Sequence, residues 1–417
     1  MQGREPIAIL GAGHGGQALA ADLALQGWPV HLYNRSPERL QPLLKAGGIR
    51  LEGAAGRGWA RLARVTHDLE EAVTGTSLIL VVTPATAHIE LARQLAPLLR
   101  DGQTIVLCPG RTLGAWHVVD VLRQYGQEGN VTVAECNTFL FASRTVGPAR
   151  SMVHAVKARV GVAALPYERT GMVVQQLRQL YPCFLPAADL LETGLDNIGM
   201  LFHPAPVLAN LARVEAGQPF EHYTEGISPA VARLIEALDK ERLAVARRLG
   251  VKLRPARLWL AETYGAAGSS LYEALQKQQG YRGIPAPRSL ATRYLWEDIP
   301  CGLVPLASLG RHYGVETPVA NSLVHLAGAA LGHDWWSSGR TLERLGLSGL
   351  SVSELRETLR TGSLPGRKPW FPTPMESPSQ IARGRTAALP VSISSPAPLP
   401  VNIADVGQVA AGNELLR

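Results

Sequence analysis

The residues with the plainest chemistry stand near the start of the chain, in the run Gly11-Ala12-Gly13-His14-Gly15-Gly16. The Gly-x-Gly-x-x-Gly spacing at 11, 13 and 16 suits a backbone that must come close to a pyrophosphate. Gly11 makes a tight turn, Gly13 lets the phosphates approach, and Gly16 lets a helix pack closely on a strand. The anion then rests on free N–H groups at the helix N-terminus. A short apolar run, Pro6–Leu10, precedes the glycines, and an Ala- and Leu-rich stretch, Gln17–Gln26, follows and ends at Gly27. A second apolar run, Val30–Tyr33, comes next. Strand, glycine turn, helix and strand within about 30 residues make the spacing a dinucleotide signature.

The tip of that second strand bears on which dinucleotide. A carboxylate there would hold the ribose 2′-hydroxyl of NAD. The tip reads Tyr33-Asn34-Arg35-Ser36 and has none. Arg35 offers a planar fork for a 2′-phosphate, with Ser36 and Arg39 beside it. NADP(H) is therefore favoured over NAD(H). Thr83-Pro84-Ala85-Thr86-Ala87-His88 follows the apolar run Ser77–Val82 and lies at the carboxyl end of a strand, where such sheets bind ligands. Thr83, Pro84 and His88 are candidates to skirt the cofactor, with helix capping an equal reading. The loop Cys108-Pro109-Gly110-Arg111 has the same standing.

These residues need a scaffold, and the chain's pattern supplies one. Strand-like runs recur at Ser77–Val82, Thr104–Cys108 and Val131–Ala134, with helical stretches at Pro37–Ala46, His88–Leu99 and Gly114–Tyr125 between them. That alternation predicts an α/β doubly wound parallel sheet. Val153–Ala164 reads as extended strands closing this domain. After about Leu185 the pattern turns helical. Leu190–Ala216 is interrupted by Pro204 and Pro206, and Ser228-Pro229 caps a long helix ending at Gly250. Leu258–Gln279, Leu303–Tyr313 and Pro318–Leu331 also read as helices. The expected organisation is a Rossmann-like domain over 1–185, an all-α-helical domain over 186–360 and a poorly ordered tail over 361–417, which holds nine prolines in 57 residues.

Composition excludes several classes. With 46% hydrophobic and 18% charged residues, disorder as the main state is ruled out. The charge of +7 is spread thinly, without a run of five basic residues, so nucleic acid is not an expected partner. Cys108, Cys136, Cys183 and Cys301 are far apart and form no CxxC, which predicts free thiols and no metal site. No apolar stretch approaches the ~20 residues of a membrane helix, and no secretory leader is recognisable. The reading is a cytoplasmic protein without membrane partners.

Further along, Glu135-Cys136-Asn137-Thr138-Phe139-Leu140-Phe141-Ala142-Ser143-Arg144, Asn197 with His203-Pro204, and Tyr223-Thr224-Glu225-Gly226 stand out. So do Arg293-Tyr294-Leu295-Trp296-Glu297-Asp298-Ile299-Pro300 and Gly339-Arg340-Thr341-Leu342-Glu343-Arg344-Leu345-Gly346. With the glycine loop and the Thr83–His88 turn, these resemble the octopine/nopaline dehydrogenase family over about residues 5–350. The resemblance implies an opine dehydrogenase, in which an amino acid's amino group and a 2-oxo acid, pyruvate or 2-oxoglutarate, form an imine that a nicotinamide cofactor reduces. The family's catalytic His falls on His203, its Asp partner on Asp298 and its substrate-binding Arg on Arg293.

The chemistry of those types fits the role. Imine formation needs a group that moves protons near neutral pH, and a carboxylate on the other ring nitrogen would fix the tautomer. Two substrate carboxylates need cationic clamps. Arg144 and Thr138 are candidates from the cofactor side, and Asn210 would share His203's face if the helix ran on for seven residues. The expected partners are an amino acid and a 2-oxo acid, on a monomer or homodimer. Asn34-Arg35 departs from the acidic tip of the NAD-dependent members, and the proline-rich tail has no counterpart in the family. One rival is a 2-keto or 2-hydroxy acid reductase of the same architecture. It would need a catalytic Lys in the helical half, yet Lys240, Lys252 and Lys277 sit in no recognisable motif. A nicotinamide-sensing protein without turnover would need neither His203 nor Asp298.

Overall fold

The computed structural model describes residues 4–127, 130–367 and 370. Along the first half run β1 (Ile7–Leu10), α1 (His14–Leu25), β2 (Val30–Tyr33), α2 (Gln41–Ala46), β3 (Ile49–Gly53), β4 (Gly58–Ala60), β5 (Arg64–Thr66) and α3 (Leu69–Val73). Next come β6 (Leu78–Val81), α4 (His88–Leu95), β7 (Thr104–Leu107), α5 (Gly114–Gln124), β8 (Thr132–Cys136), β9 (Phe141–Gly147), β10 (Arg150–Val156), β11 (Val160–Leu165), α6 (Thr170–Arg178) and β12 (Phe184–Pro186).

Eight strands form one sheet in the order β12-β11-β8-β7-β6-β1-β2-β5. From β8 to β5 every pairing is parallel, and β11 runs antiparallel to β8. This is the doubly wound sheet the alternation predicts. The strand order reverses between β1 and β6, so a crevice opens beyond Leu10 and Val81. Alternate side chains divide the core. Ile7 and Ile9 face the α1 side with Leu19 and Leu23, whereas Ala8 and Leu10 belong to the core shared with the helical half.

A second sheet, β4-β3-β10-β9, is absent from the sequence reading. It packs across α1 and leaves that helix between two sheets. The expected strands of Val153–Ala164 are extended, but they are shared out: β10 belongs to the small sheet and β11 to the large one. Lys157 lies in the crossing between them.

The second half is helical: α7 (Leu190–Leu195), α8 (Gly199–Phe202), α9 (Pro204–Ala209), α10 (Leu211–Glu215), α11 (Pro229–Arg248), α12 (Ala256–Tyr264), α13 (Leu271–Lys277), α14 (Arg293–Trp296), α15 (Val304–His312), α16 (Pro318–Leu331), α17 (Trp335–Ser338) and α18 (Val352–Thr361). Ser228 caps α11 by accepting from the Val231 N–H, and Pro229 follows at the first helical position. The single helix expected over Leu258–Gln279 is two. Gly265 ends α12 in the left-handed region (φ 72°), and Ser270 caps a new start at Leu271.

The proline-rich stretch was expected to be loose from 361 onward, yet its first residues pack. Gly362 terminates α18, and the buried Trp370 donates its Nε1 hydrogen to the Val131 carbonyl at 3.1 Å. The rest of that stretch, 371–417, lies outside the described residues. No helix among the described residues is long and apolar enough to cross a membrane.

Candidate active site

A cleft of about 640 Å³ runs from the tip of β2 to the interior of the helical half. Its first end is built from backbone. Gly11 has φ 117°, and a Cβ there would lie 2.5 Å from the Val82 carbonyl oxygen. A Cβ on Gly16 would overlap the Gly11 carbonyl, so α1 can cross β1 closely only with glycine at both positions. Gly13 differs: nothing lies within 4 Å of its absent Cβ, and it begins α1 without a side-chain cap. The first-turn N–H groups therefore face an open cradle suited to a pyrophosphate. Ala12 donates its N–H to Asn34 Oδ1 at 3.0 Å, and Asn34 Nδ2 donates to the Ser36 carbonyl at 3.1 Å. Asn34 thus ties the glycine loop to the strand tip.

Arg35 and Arg39 are exposed, line the cleft beside Ser36, and have no carboxylate within ion-pair distance among the described residues. Thr83, Pro84 and Gly15 also line the cleft, and His14 Nδ1 accepts the Thr145 N–H at 3.0 Å. His88 does not reach the cleft. The first turn of α4 aims its ring inward, it is buried, and burial beside Arg340 lowers its pKa to about 3.

The second end is made of side chains. His203 is the joint between α8 and α9, where Pro204 starts the new helix. Its Nδ1 lies 2.7 Å from Asp298 Oδ2, and its Nε2 lies 3.2 Å from the Tyr223 hydroxyl. An ionised carboxylate can only accept, so Nδ1 carries the proton and Nε2 faces the cleft. Tyr294 stacks on the imidazole at 4.1 Å and 13°. Asp298 is fully buried at the start of a π-helical turn, Ile299–Leu303, a departure from regular helix often found at functional sites. Burial pushes His203 below its ordinary pKa, with Asp298 opposing.

Behind the pair stands Arg111, a buried residue with φ 63°. Its Nη1 lies 3.1 Å from Asp298 Oδ1 and 2.8 Å from Asn197 Oδ1, and its Nε lies 3.1 Å from Glu297 Oε1. Glu297 also accepts the Ala85 N–H at 3.1 Å and meets Arg293 Nη1 at 3.4 Å. Burial would raise the Glu297 pKa, but Arg111 and Arg293 hold it down at about 2. The result is one chain of charge, Arg293–Glu297–Arg111–Asp298–His203, crossing from the cleft mouth to the imidazole. Arg340 reinforces it from the helical side by donating to the Gly110 and Thr112 carbonyls at 3.0 Å each.

The cleft therefore gathers the glycine loop, Asn34, Arg35, Ser36, Arg39, Thr83, Pro84, Thr138, Arg144, His203 and Arg293, with Asp298 directly behind His203. Asn210 stands apart. α9 ends at Ala209, and the Asn210 amide is spent on the Pro206 and Gly226 carbonyls at 2.9 and 2.8 Å. Lys157, Tyr264, Tyr281 and Trp259 line the cleft without a sequence signal, and they join Tyr223, quoted for the resemblance, and Arg111, whose loop was a candidate but whose ion pairs the sequence does not show. Glu297 stands in the Arg293–Pro300 motif, but nothing in the sequence shows its ion pairs with Arg111 and Arg293. Among the described residues no group of His, Cys, Asp or Glu could hold a metal ion.

A dinucleotide-binding sheet domain followed by a helical domain that adds a His–Asp pair to the same cleft defines an NAD(P)-dependent oxidoreductase. Comparison narrows this. Residues 186–331 match the family model described as NAD/NADP octopine/nopaline dehydrogenase, alpha-helical domain, and residues 7–160 match ketopantoate reductase PanE/ApbA. The opine dehydrogenase of Arthrobacter sp. (strain 1C) is 38% identical over 352 residues, covering 84% of this chain and 98% of that relative. The fold is also that of octopine dehydrogenase solved with NADH and L-arginine (21% identity, TM-score 0.70, 87% of this chain and 100% of that one). NADP+-bound yersinopine dehydrogenase is similar too (18% identity, TM-score 0.63, 86% and 99%). The chain belongs to the opine dehydrogenase family and acts on CH–NH groups.

Proposed function

We propose that this opine dehydrogenase condenses the amino group of an amino acid with a 2-oxo acid, pyruvate or 2-oxoglutarate, and prefers NADPH. The observation that carries the reading is the 2.7 Å His203–Asp298 contact at the floor of the cleft that the glycine loop opens into. Arg144 and Arg293 flank that floor and bind the two substrate carboxylates. The amine attacks the oxo carbon and passes one of its protons to the oxygen; the His203 imidazolium adds its Nε2 proton, so that water leaves and a protonated imine forms. Asp298 stabilises the imidazolium and holds the tautomer, while Tyr294 fixes the ring plane. A nicotinamide cofactor held by the glycine loop would supply the hydride for the imine carbon. In the oxidative direction neutral His203 takes the proton back.

NADPH preference rests on Arg35, Ser36 and Arg39 at the cleft edge, and on the amide of Asn34 standing where a carboxylate would repel a 2′-phosphate. Relatives of this fold are known with either cofactor, NADH in octopine dehydrogenase and NADP+ in yersinopine dehydrogenase. The test follows the absorbance of reduced nicotinamide with NADPH or NADH, an oxo acid and pools of amino acids. Oxidation that needs both oxo acid and amine, faster with NADPH, is expected. Oxidation by the oxo acid alone would make the protein a keto-acid reductase.

A further inference from the structure

We propose that Lys157 is a further substrate-positioning residue, whose ammonium binds a carboxylate of the condensing pair inside the cleft; this rests on the opine dehydrogenase reading. Lys157 lies in the crossing from β10 to β11, lines the cleft and is 7% exposed. Its Nζ donates to the Phe139 carbonyl at 2.6 Å. That uses one of three donors, and no carboxylate lies within ion-pair distance among the described residues.

A buried ammonium without a counter-ion is costly, and lysines that serve only structure usually pair or extend their heads to water. The surroundings of Lys157 offer no carboxylate among the described residues. Arg111, on the loop after β7, and Arg293, on α14, are cations; Cys183, just before β12, is a thiol raised by its own burial. Tyr264, at the end of α12, presents its ring 5.8 Å from Nζ. Burial, aided by Arg111, pulls the lysine's pKa down to about 7.

The carboxylates already lining the cleft do not compensate. Glu297 is held between Arg111 and Arg293, and Glu90 lies on α4. An arriving carboxylate would supply the missing counter-ion. Phe139 places the site close to the cofactor loop, because its ring lies 2.8 Å from where a Gly15 Cβ would be. The ligand chemistry is a carboxylate, supplied by either the 2-oxo acid or the amino acid.

The test uses the full chain with Lys157→Met and Lys157→Arg. KM and kcat are measured for pyruvate, 2-oxoglutarate and the amino acid. Binding of each oxo acid, and of the amino acid, to the NADPH complex is followed by calorimetry in two buffers of different ionisation enthalpy, about one pH unit above the lysine's titration. Lys157→Met should raise one substrate's KM about tenfold or more with little change in kcat, and Lys157→Arg should restore most of it. Wild type should take up a proton on binding that substrate, and Lys157→Met should not. An equal rise for both oxo acids places the carboxylate next to the reacting carbon, a rise for 2-oxoglutarate alone places it at the far end, and a rise for the amino acid assigns it there. Unchanged KM values with a lowered Tm would make Lys157 a structural tie and overturn the proposal. Should Lys157→Met not fold, absence of proton uptake by wild type overturns it equally. Calorimetric binding that depends on Lys157, without turnover of any pair, would sink the opine reading while leaving the carboxylate site standing.

Discussion

The two ends of the cleft are held by opposite means. At the glycine-loop end the groups that face the cleft are backbone N–H groups and two exposed arginines, the ones proposed to meet the cofactor. Water can replace any one of them. At the reaction end Asp298, Arg111 and Glu297 are buried, Arg111 lies within ion-pair distance of both carboxylates, and the chain ends on His203 at one terminus and Arg293 at the other. Removing one member there strands its neighbours in a low-dielectric interior, which costs far more than the lost contact itself. Substitutions at the first end should therefore be graded and local, and those at the second should spread.

The largest expected effect comes from His203→Ala. It should lower kcat by about 10²–10⁴-fold, the usual share of a positioned acid–base group. NADPH affinity, read by fluorescence titration, should hold, because the glycine loop is built without His203. An equal loss of cofactor affinity would merge the two ends into one network. The pH profile sharpens the same point. Burial depresses the His203 pKa from the ordinary 6.5. Opine oxidation, which needs neutral imidazole, should fall only as the pH drops through that depressed value. Reductive condensation, which needs imidazolium, should decline as the pH rises through it. An acid limb of oxidation above 6.5 would show that another group governs the step.

Next in size is Arg111→Met. It leaves Asp298 and Glu297 as buried carboxylates without their shared cation. A loss of roughly 3–5 kcal/mol in denaturant unfolding is expected, against a change within about 0.5 kcal/mol for the exposed Arg35→Ser. Similar costs for both would remove the distinction drawn between the ends.

The same contrast explains what the sequence made legible. The cofactor end is local: Gly11, Gly13 and Gly16 stand within six residues, and the central strands β1, β6 and β7 are short, largely apolar runs because both faces are covered. The small sheet escapes because β3 and β4 are short and half-exposed, and their alternation is brief. The break at Gly265 hides inside a stretch whose composition stays helical on both sides. At the reaction end, His203 and Asp298 are 95 residues apart and only the family resemblance joins them. Arg111 stands in a loop marked only as a candidate to skirt the cofactor, and Lys157 has no local pattern at all; what each touches is decided by a distant element that arrives beside it. Asn210 and His88 fail for a related reason. Spacing put each near the right place, but a helix end in one case and the inward face of a first turn in the other decided where the side chain went.

The smallest expected effect tests the exposed end by itself. Arg35→Ser removes a guanidinium that has no carboxylate partner among the described residues, so the protein loses nothing it was using internally. An exposed charge-assisted contact to a phosphate is worth about 1 kcal/mol, which predicts a five- to tenfold rise in KM for NADPH and none for NADH. Asn34→Asp is the complementary change. A carboxylate can still accept the Ala12 N–H that Asn34 Oδ1 now holds, so the glycine loop keeps its tie while the strand tip gains the charge that suits a ribose hydroxyl. The bond from Nδ2 to Ser36 is lost, a cost shared by both cofactors. The ratio of kcat/KM for NADPH to that for NADH should thus fall in both variants, through weaker NADPH binding in one and added repulsion in the other. If Arg35→Ser instead slows both cofactors alike, the arginine acts on the shape of the loop, and the proposed NADPH preference would rest on Arg39 and Ser36 alone.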